Sequence, residues 1–348
     1  KACGIVGDSN MCHEIHAEIE RMGLLKKDIV VGTAVIDMYA KRGFLNKAQQ
    51  VFNKLPVRDV ISWNALIGGY AEHGHGEKAL ECVEQMQLEG MFPNAVTYLG
   101  SLKACGDIKS SKKCGEIHAI LNQRDILGTD HLISNTLVDT YFEFGMFSKV
   151  EEVFIKLPIR NVVSWTALIA GHVKHGHGEE ALKSFERMQL EHVCPNLVTF
   201  ICSLQACSNL GVIRKGQEIH SEIEKKGLLS QRCTGMVGNT LIDMYVKCGM
   251  PSKAQQVHEE LRVRNIVTWN VLITGYAQQS QGREALTCFE RMQSEGISPN
   301  AVTFICILQC CASVRAIEEG QRIHEEVMNR GLLEKDIALG NALVHMYC

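Results

Sequence analysis

Proline and aromatic residues are scarce: there are six prolines in 348 residues, and aromatics make up 6 %. Together with 30 glycines, this favours helices joined by short turns over a sheet protein. No apolar run approaches the roughly 20 residues that cross a bilayer, so a membrane-spanning helix is excluded. Strong charge of either sign is also missing. The net charge is −3, so nucleic-acid binding cannot rest on bulk charge alone. The 15 cysteines contain no C-x-x-C. Many recur inside apolar stretches, as Cys105, Cys207 and Cys311 do after LKA, LQA and LQC. Buried free thiols in a reducing compartment fit that placement better than a disulfide framework. Phosphate-binding loops, dinucleotide fingerprints and nucleophile elbows are absent as well. No catalytic centre, metal, cofactor or small-molecule substrate is therefore expected. The chain begins at Lys1 without an initiator methionine and stops at Cys348 in mid-pattern, so it reads as a segment of a longer protein.

What the sequence does contain is repetition. Trp63, Trp165 and Trp269 stand 102 and 104 residues apart, each in S/T-W-x-x-L-I. Three other phrases recur between them: V-T-F/Y at Val96, Val198 and Val302, E/R-I-H at His16, His118, His220 and His324, and I/V-D-M-Y with variants at Tyr39, Tyr141, Tyr245 and Tyr347. Cutting at equivalent phrases tiles the chain. Units of 31 residues run 29–59, 131–161 and 235–265, and units of 35 run 60–94, 162–196 and 266–300. Long units cover 95–130 (36 residues), 197–234 (38) and 301–336 (36). Residues 1–28 and 337–348 are truncated long and short units.

Each unit reads as two helices. In 60–94 the first spans about 62–72 and stops at HGHG, where glycine permits a positive φ. The second spans about 77–89, with Ala79, Leu80, Val83 and Met86 on one stripe, closed by Gly90 and Pro93. Neither helix can hide its stripe alone, so neighbouring hairpins must stack. The expected fold is all-α, an α-solenoid of helix-turn-helix repeats.

SWNALIGGYAEHGHGEKALECVEQMQLEGMFPN, AVTFICILQCCASVRAIEEGQRIH and GNTLIDMYVKCG carry a resemblance. The chain resembles the pentatricopeptide repeat family along its whole length, specifically the plant-type arrays that alternate 35-residue, long and short motifs. The tetratricopeptide hairpin, a protein-binding scaffold, is the alternative. Its 34-residue units carry different small-residue positions and do not alternate in length. The resemblance implies a right-handed superhelix with first helices on the concave face. It also implies single-stranded RNA as partner, one nucleotide per repeat, with two or three side chains reading each base.

In the family the fifth and last residues of a repeat do most of the reading. By position these are Thr33 with Asp59, Asn135 with Asn161, and Asn239 with Asn265 in the short units. In the 35-residue units they are Asn64 with Asn94, Thr166 with Asn196, and Asn270 with Asn300. All twelve are Asn, Thr or Asp, small polar residues at a fixed register in otherwise apolar helices. Ionised Asp only accepts, which suits the N–H of G or U, whereas Asn can match A or C. The family pairs Thr with purines and Asn with pyrimidines. The implied reading is G for Thr33/Asp59, A for Thr166/Asn196, and C (with U tolerated) for the four Asn/Asn pairs. The long-unit pairs Leu99/Asp130, Ile201/Thr234 and Ile305/Asp336 have an aliphatic fifth residue and are assigned no base. From the 5′ end the implied site is G-Y-n-Y-A-n-Y-Y-n, where Y is C or U. The second residues, Val30, Ile61, Val96, Leu132, Val163, Val198, Met236, Val267 and Val302, wedge between bases in the family, though packing within the solenoid would also use them.

Two features compete with this reading. A polar residue just before a helix can simply be a cap, but a cap does not explain the fifth position. Histidines offer metal-like spacings at His13 and His16, and at His172, His175 and His177. His16, His220 and His324 each open an H-x-E like that of zinc deaminases, but the required P-C-x-x-C is missing. A repeated structural histidine is the simpler account. The resemblance further implies an organellar RNA-processing factor of the mitochondrion or chloroplast, most often acting in C-to-U editing with editing cofactor proteins. A deaminase-like domain would lie beyond this segment.

Overall fold

The computed structural model describes residues 9–228, 235–333 and 336–348. Thr234 and most of the LSQRCTG stretch at 229–235 lie outside the described residues. Among those described, helix is the dominant element and there is no strand. No described helix is long and apolar enough to cross a membrane.

The chain divides into two units, Lys1–Leu168 and Ile169–Cys348. In the first, hairpins form from Ile29–Lys41 with Leu45–Lys54, Val60–Glu72 with Gly76–Leu88, Ala95–Asp107 with Ser111–Gln123, and His131–Glu143 with Phe147–Ile155. The second contains the hairpins Leu197–Leu210 with Ile213–Lys225, Gly235–Lys247 with Pro251–Glu260, Ile266–Gln278 with Gly282–Ser294, and Ala301–Val314 with Ile317–Asn329. Within each unit, a first helix packs on its own partner and on the first helix of the next hairpin.

The local sequence explains the helix ends. Asp59 Oδ1 accepts from the Ser62 amide at 2.8 Å, and the Ser62 hydroxyl accepts from the Asp59 amide at 3.0 Å, a reciprocal cap that starts Val60–Glu72. Gly74 then takes φ 73°, which an L side chain resists, and stops the helix. Packing selects other positions. A Cβ on Gly69 would stand 2.5 Å from the Ala40 Cβ, and one on Gly275 2.3 Å from Val246, so neighbouring first helices touch there through glycine.

The repeated tryptophans are the largest core side chains. Trp63 meets Phe52 edge-on at 4.5 Å between ring centroids, and Trp165 meets Phe154 at 4.6 Å. At Trp269 the partner is His258, at 4.2 Å. The repeated histidines tie consecutive hairpins together. Nδ1 bonds a tyrosine hydroxyl in His16–Tyr39 (3.0 Å), His118–Tyr141 (2.8 Å), His220–Tyr245 (2.9 Å) and His324–Tyr347 (3.0 Å). Burial lowers the pKa of His16, His118 and His220, which keeps them neutral partners for those hydroxyls. The cysteines at 105, 207 and 311 are buried and free, and burial pushes the thiols of Cys105 and Cys311 up to about 11.

Candidate nucleic-acid interface

The twelve polar positions lie at the N-terminal ends of the first helices. Asp59, Asn94, Asn196, Asn265 and Asn300 are N-caps with reciprocal capping boxes. Asn161 accepts from the Val163 and Ser164 amides at 2.9 and 3.0 Å. Capping is therefore real at these six last positions, and it decides which atom is left over. An Asn cap commits Oδ1 to backbone N–H groups and leaves Nδ2, a donor, outside the cap. The Asp59 cap commits Oδ1 and leaves Oδ2, an acceptor.

In the first unit, Asn64 Nδ2 donates to Asn94 Oδ1 at 3.0 Å. In the second, Asn270 Nδ2 donates to Asn300 Oδ1 at 3.2 Å. The fifth and last residues of these 35-residue units therefore meet side by side. In the short units the fifth residues stand differently. Thr33 Oγ1 and Asn239 Oδ1 are buried with no hydrogen-bond partner. Asn135 is half-buried. In the remaining 35-residue unit, 162–196, the fifth residue Thr166 donates its hydroxyl to the Val162 carbonyl at 2.6 Å. Leu99, Ile201 and Ile305, the fifth residues of the long units, are half-buried aliphatics with nothing to donate or accept.

The second residues are not core. Val30, Ile61, Val96, Leu132, Val163, Val198, Met236, Val267 and Val302 are all exposed, from 49 % at Val267 to 72 % at Val30. In each unit these side chains are exposed and apolar at one register, which solvent alone does not favour. A groove of about 700 Å³ in the first unit brings the two kinds of position together, with Val30, Ile61 and Val96 around Thr33, Asp59 and Asn64. Lys41, bonded to Asp37 at 2.7 Å, also lines it and was not singled out from sequence.

Sequence reasoning also passed over Thr97 and Thr303, the threonines of V-T-F/Y. Each is fully buried, and each hydroxyl reaches the fifth residue of the preceding unit: Thr97 to Asn64 Oδ1 at 2.7 Å, Thr303 to Asn270 Oδ1 at 2.6 Å. The recurring phrase was the signal, but its acceptor is 33 residues away in sequence. A grouping that the sequence spacing did not offer, His220 with Glu224 and Glu260, brings ligand atoms within 4.8 Å of one another, with both glutamates exposed. At the corresponding place near His16, Lys54 instead binds Glu20 at 2.6 Å.

A family model described as "PPR repeat family" matches residues 58–107, 160–209 and 264–313, and a second, "PPR repeat", matches 33–60 and 239–266. The chain belongs to the pentatricopeptide repeat family. Among similar pentatricopeptide repeat-containing proteins of Arabidopsis thaliana, At4g18520, chloroplastic, is 31 % identical over 99 % of this chain and 55 % of its own length. CRR2, chloroplastic, is 37 % identical over 86 % of this chain and 46 % of its own. At3g24000, mitochondrial, is 35 % identical over 84 % and 45 %. The chain thus spans about half the length of these pentatricopeptide repeat relatives. The crystal structure of maize PPR10 superimposes with a TM-score of 0.75 at 19 % identity, covering 99 % of this chain and 48 % of that one. PPR10 in complex with an 18-nt psaJ RNA element gives 0.66 at 18 % identity, over 91 % and 47 %. These matches place the chain in the pentatricopeptide repeat solenoid fold.

Proposed function

We propose that the chain binds single-stranded RNA sequence-specifically, one nucleotide per unit, at 5′-G-Y-n-Y-A-n-Y-Y-n-3′. The observation that carries this is the pairing of fifth and last residues beside exposed aliphatics at a fixed register. The leftover cap atom supplies a chemical rule. The ring nitrogen on the Watson–Crick edge is an acceptor in A and C and an N–H donor in G and U. An outward Asn Nδ2 complements the first pair and an outward Asp Oδ2 the second. The exposed second residues offer apolar faces to the bases on either side. We further propose that the array is of the alternating 35-residue, long and short type. On this reading it is the recognition segment of an organellar factor in C-to-U editing, which the chloroplastic and mitochondrial names of its relatives support.

The test is binding of the chain to G-C-U-C-A-U-C-C-U against a copy with the A changed to C. Loss of about tenfold in affinity is expected, the scale of one or two hydrogen bonds to the base. Equal affinity for both RNAs would sink base reading. Thr166→Asn should reverse the preference at that nucleotide alone; a uniform weakening on all RNAs would make position 166 structural. With a net charge of −3 the salt dependence should be shallow. The editing role is tested separately, by sequencing organellar transcripts from plants lacking the protein for a cytidine left unconverted downstream of the site.

A further inference from the structure

We propose that Thr97 and Thr303 are positioning residues that set the base preference of the 35-residue unit before them, an inference that rests on the RNA-reading function proposed above. An asparagine amide can face either way, and turning it exchanges donor for acceptor at the base. In unit 60–94 the orientation is forced step by step. The Thr97 amide donates to Asn94 Oδ1 at 3.1 Å, so turning Asn94 would set its NH₂ against an N–H. Asn64 Nδ2 donates to that same Oδ1 at 3.0 Å, so turning Asn64 would oppose two carbonyl oxygens. The Thr97 hydroxyl has one proton. Its contact with Asn64 Oδ1, 2.7 Å against 3.1 Å to Asn94 Oδ1, sends that proton to Asn64. Asn64 is held at both ends of its amide and keeps one N–H for a ligand. Asn94 keeps two.

The arrangement recurs in the other half of the chain. Thr303 gives its hydroxyl to Asn270 Oδ1 at 2.6 Å and its amide to Asn300 Oδ1 at 3.1 Å, while Asn270 donates to Asn300 at 3.2 Å. It is not a general property of a hydroxyl at this register. Ser62 and Thr268 give theirs to the carbonyls of the caps Asp59 and Asn265, at 2.8 and 2.7 Å, and leave Thr33 and Asn239 without a partner. A threonine in the repeat after the reader therefore acts on the reader through its amide, without touching RNA.

The test uses the full chain and the RNA G-C-U-C-A-U-C-C-U, with C or A at nucleotide 2, facing unit 60–94, or at nucleotide 8, facing unit 266–300. Thr97→Val keeps the shape and removes the hydroxyl. It should reduce the C-over-A preference at nucleotide 2 about fivefold and leave nucleotide 8 unchanged. Thr303→Val should do the converse, and Thr97→Ser should keep the original ratios. If the valine variants melt lower yet keep both ratios while Asn64→Ala loses the one at nucleotide 2, the threonines are only caps and the proposal falls. If Asn64→Ala also leaves its ratio unchanged, base reading fails first and this inference with it. Should one valine variant not fold, the other decides, because the two sites are equivalent and lie in different units.

Discussion

Units 235–265 and 266–300 are neighbours with the same two letters at their fifth and last positions, yet they are built differently. Asn270 is held at both ends, by Asn300 and by Thr303. Asn239 has a buried Oδ1 that bonds to nothing, and the hydroxyl that could have reached it, on Thr268, is given to the Asn265 carbonyl. The second helices differ by three residues, Pro251–Glu260 against Gly282–Ser294, nearly one turn, which changes the path by which the chain delivers its cap. On the proposed function, identical letters are therefore not identical readers. The locked pair offers one fixed hydrogen-bonding edge. In the unlocked pair no protein group holds the Asn239 carbonyl, which on the proposed reading leaves the amide to turn toward whichever base is present.

The largest difference between these units should appear in acid. Unit 235–265 alone fills the tryptophan pocket with histidine, where Phe52 and Phe154 stand elsewhere. Burial, reinforced by Arg264 and Arg291, lowers the His258 pKa to about 4. The unfolded chain then binds a proton between pH 6.5 and 4 that the folded one does not. Stability is full above 6.5 and is lost as pH falls through that window, by up to about 3 kcal/mol. His258→Phe should remove this component from denaturation curves recorded at pH 7, 5.5 and 4. An unchanged pH slope would mean that His258 titrates as it does in the unfolded chain.

A second difference concerns what the caps turn outward. Asn300→Asp keeps an oxygen on the Thr303 amide and replaces the outward donor with an acceptor. The preference at nucleotide 8 should move from C to U, by about tenfold in competition binding. Asn265→Asp should move nucleotide 7 the same way but less, because Asn239 is free to turn and partly compensate. Equal switches at both nucleotides would remove the distinction between locked and unlocked units.

Much of this architecture was legible in the sequence. The phrase around each tryptophan and the glycine after each first helix give hairpins whose core and turns the chain must respect, and Gly74 stops its helix where the pattern puts it. The polar letters at 64, 94, 270 and 300 could be picked out by register, and they do stand in contact. The destination of a hydroxyl could not be read. Ser62, Thr97, Thr268 and Thr303 occupy the same place in their phrases, and two of them bond a backbone carbonyl while two bond a side chain some thirty residues back. That choice depends on the path of a loop, which periodicity does not encode. Capping and base reading also looked like rival explanations of one residue. In the structure a cap uses one atom of the side chain and leaves the other, so the two roles are compatible at the same position.

The smallest effect is the one that isolates the lock from everything else. Without RNA, Asn270→Ala removes the nearer acceptor of the buried Thr303 hydroxyl, leaving Asn300 Oδ1 at 3.0 Å, and should cost about 1 kcal/mol in chemical denaturation. Asn239→Ala removes a buried carbonyl that had no partner, so it should be neutral or slightly stabilising. With RNA present the order of importance changes. On the proposed reading the Asn239 carbonyl gains a partner only when a base arrives, so its loss should appear in affinity and not in the stability of the free chain. Asn270 contributes to both. Equal stability losses for the two alanine variants would mean that Asn239 has a partner in solution, and the contrast between a preset reader and an adaptable one would disappear.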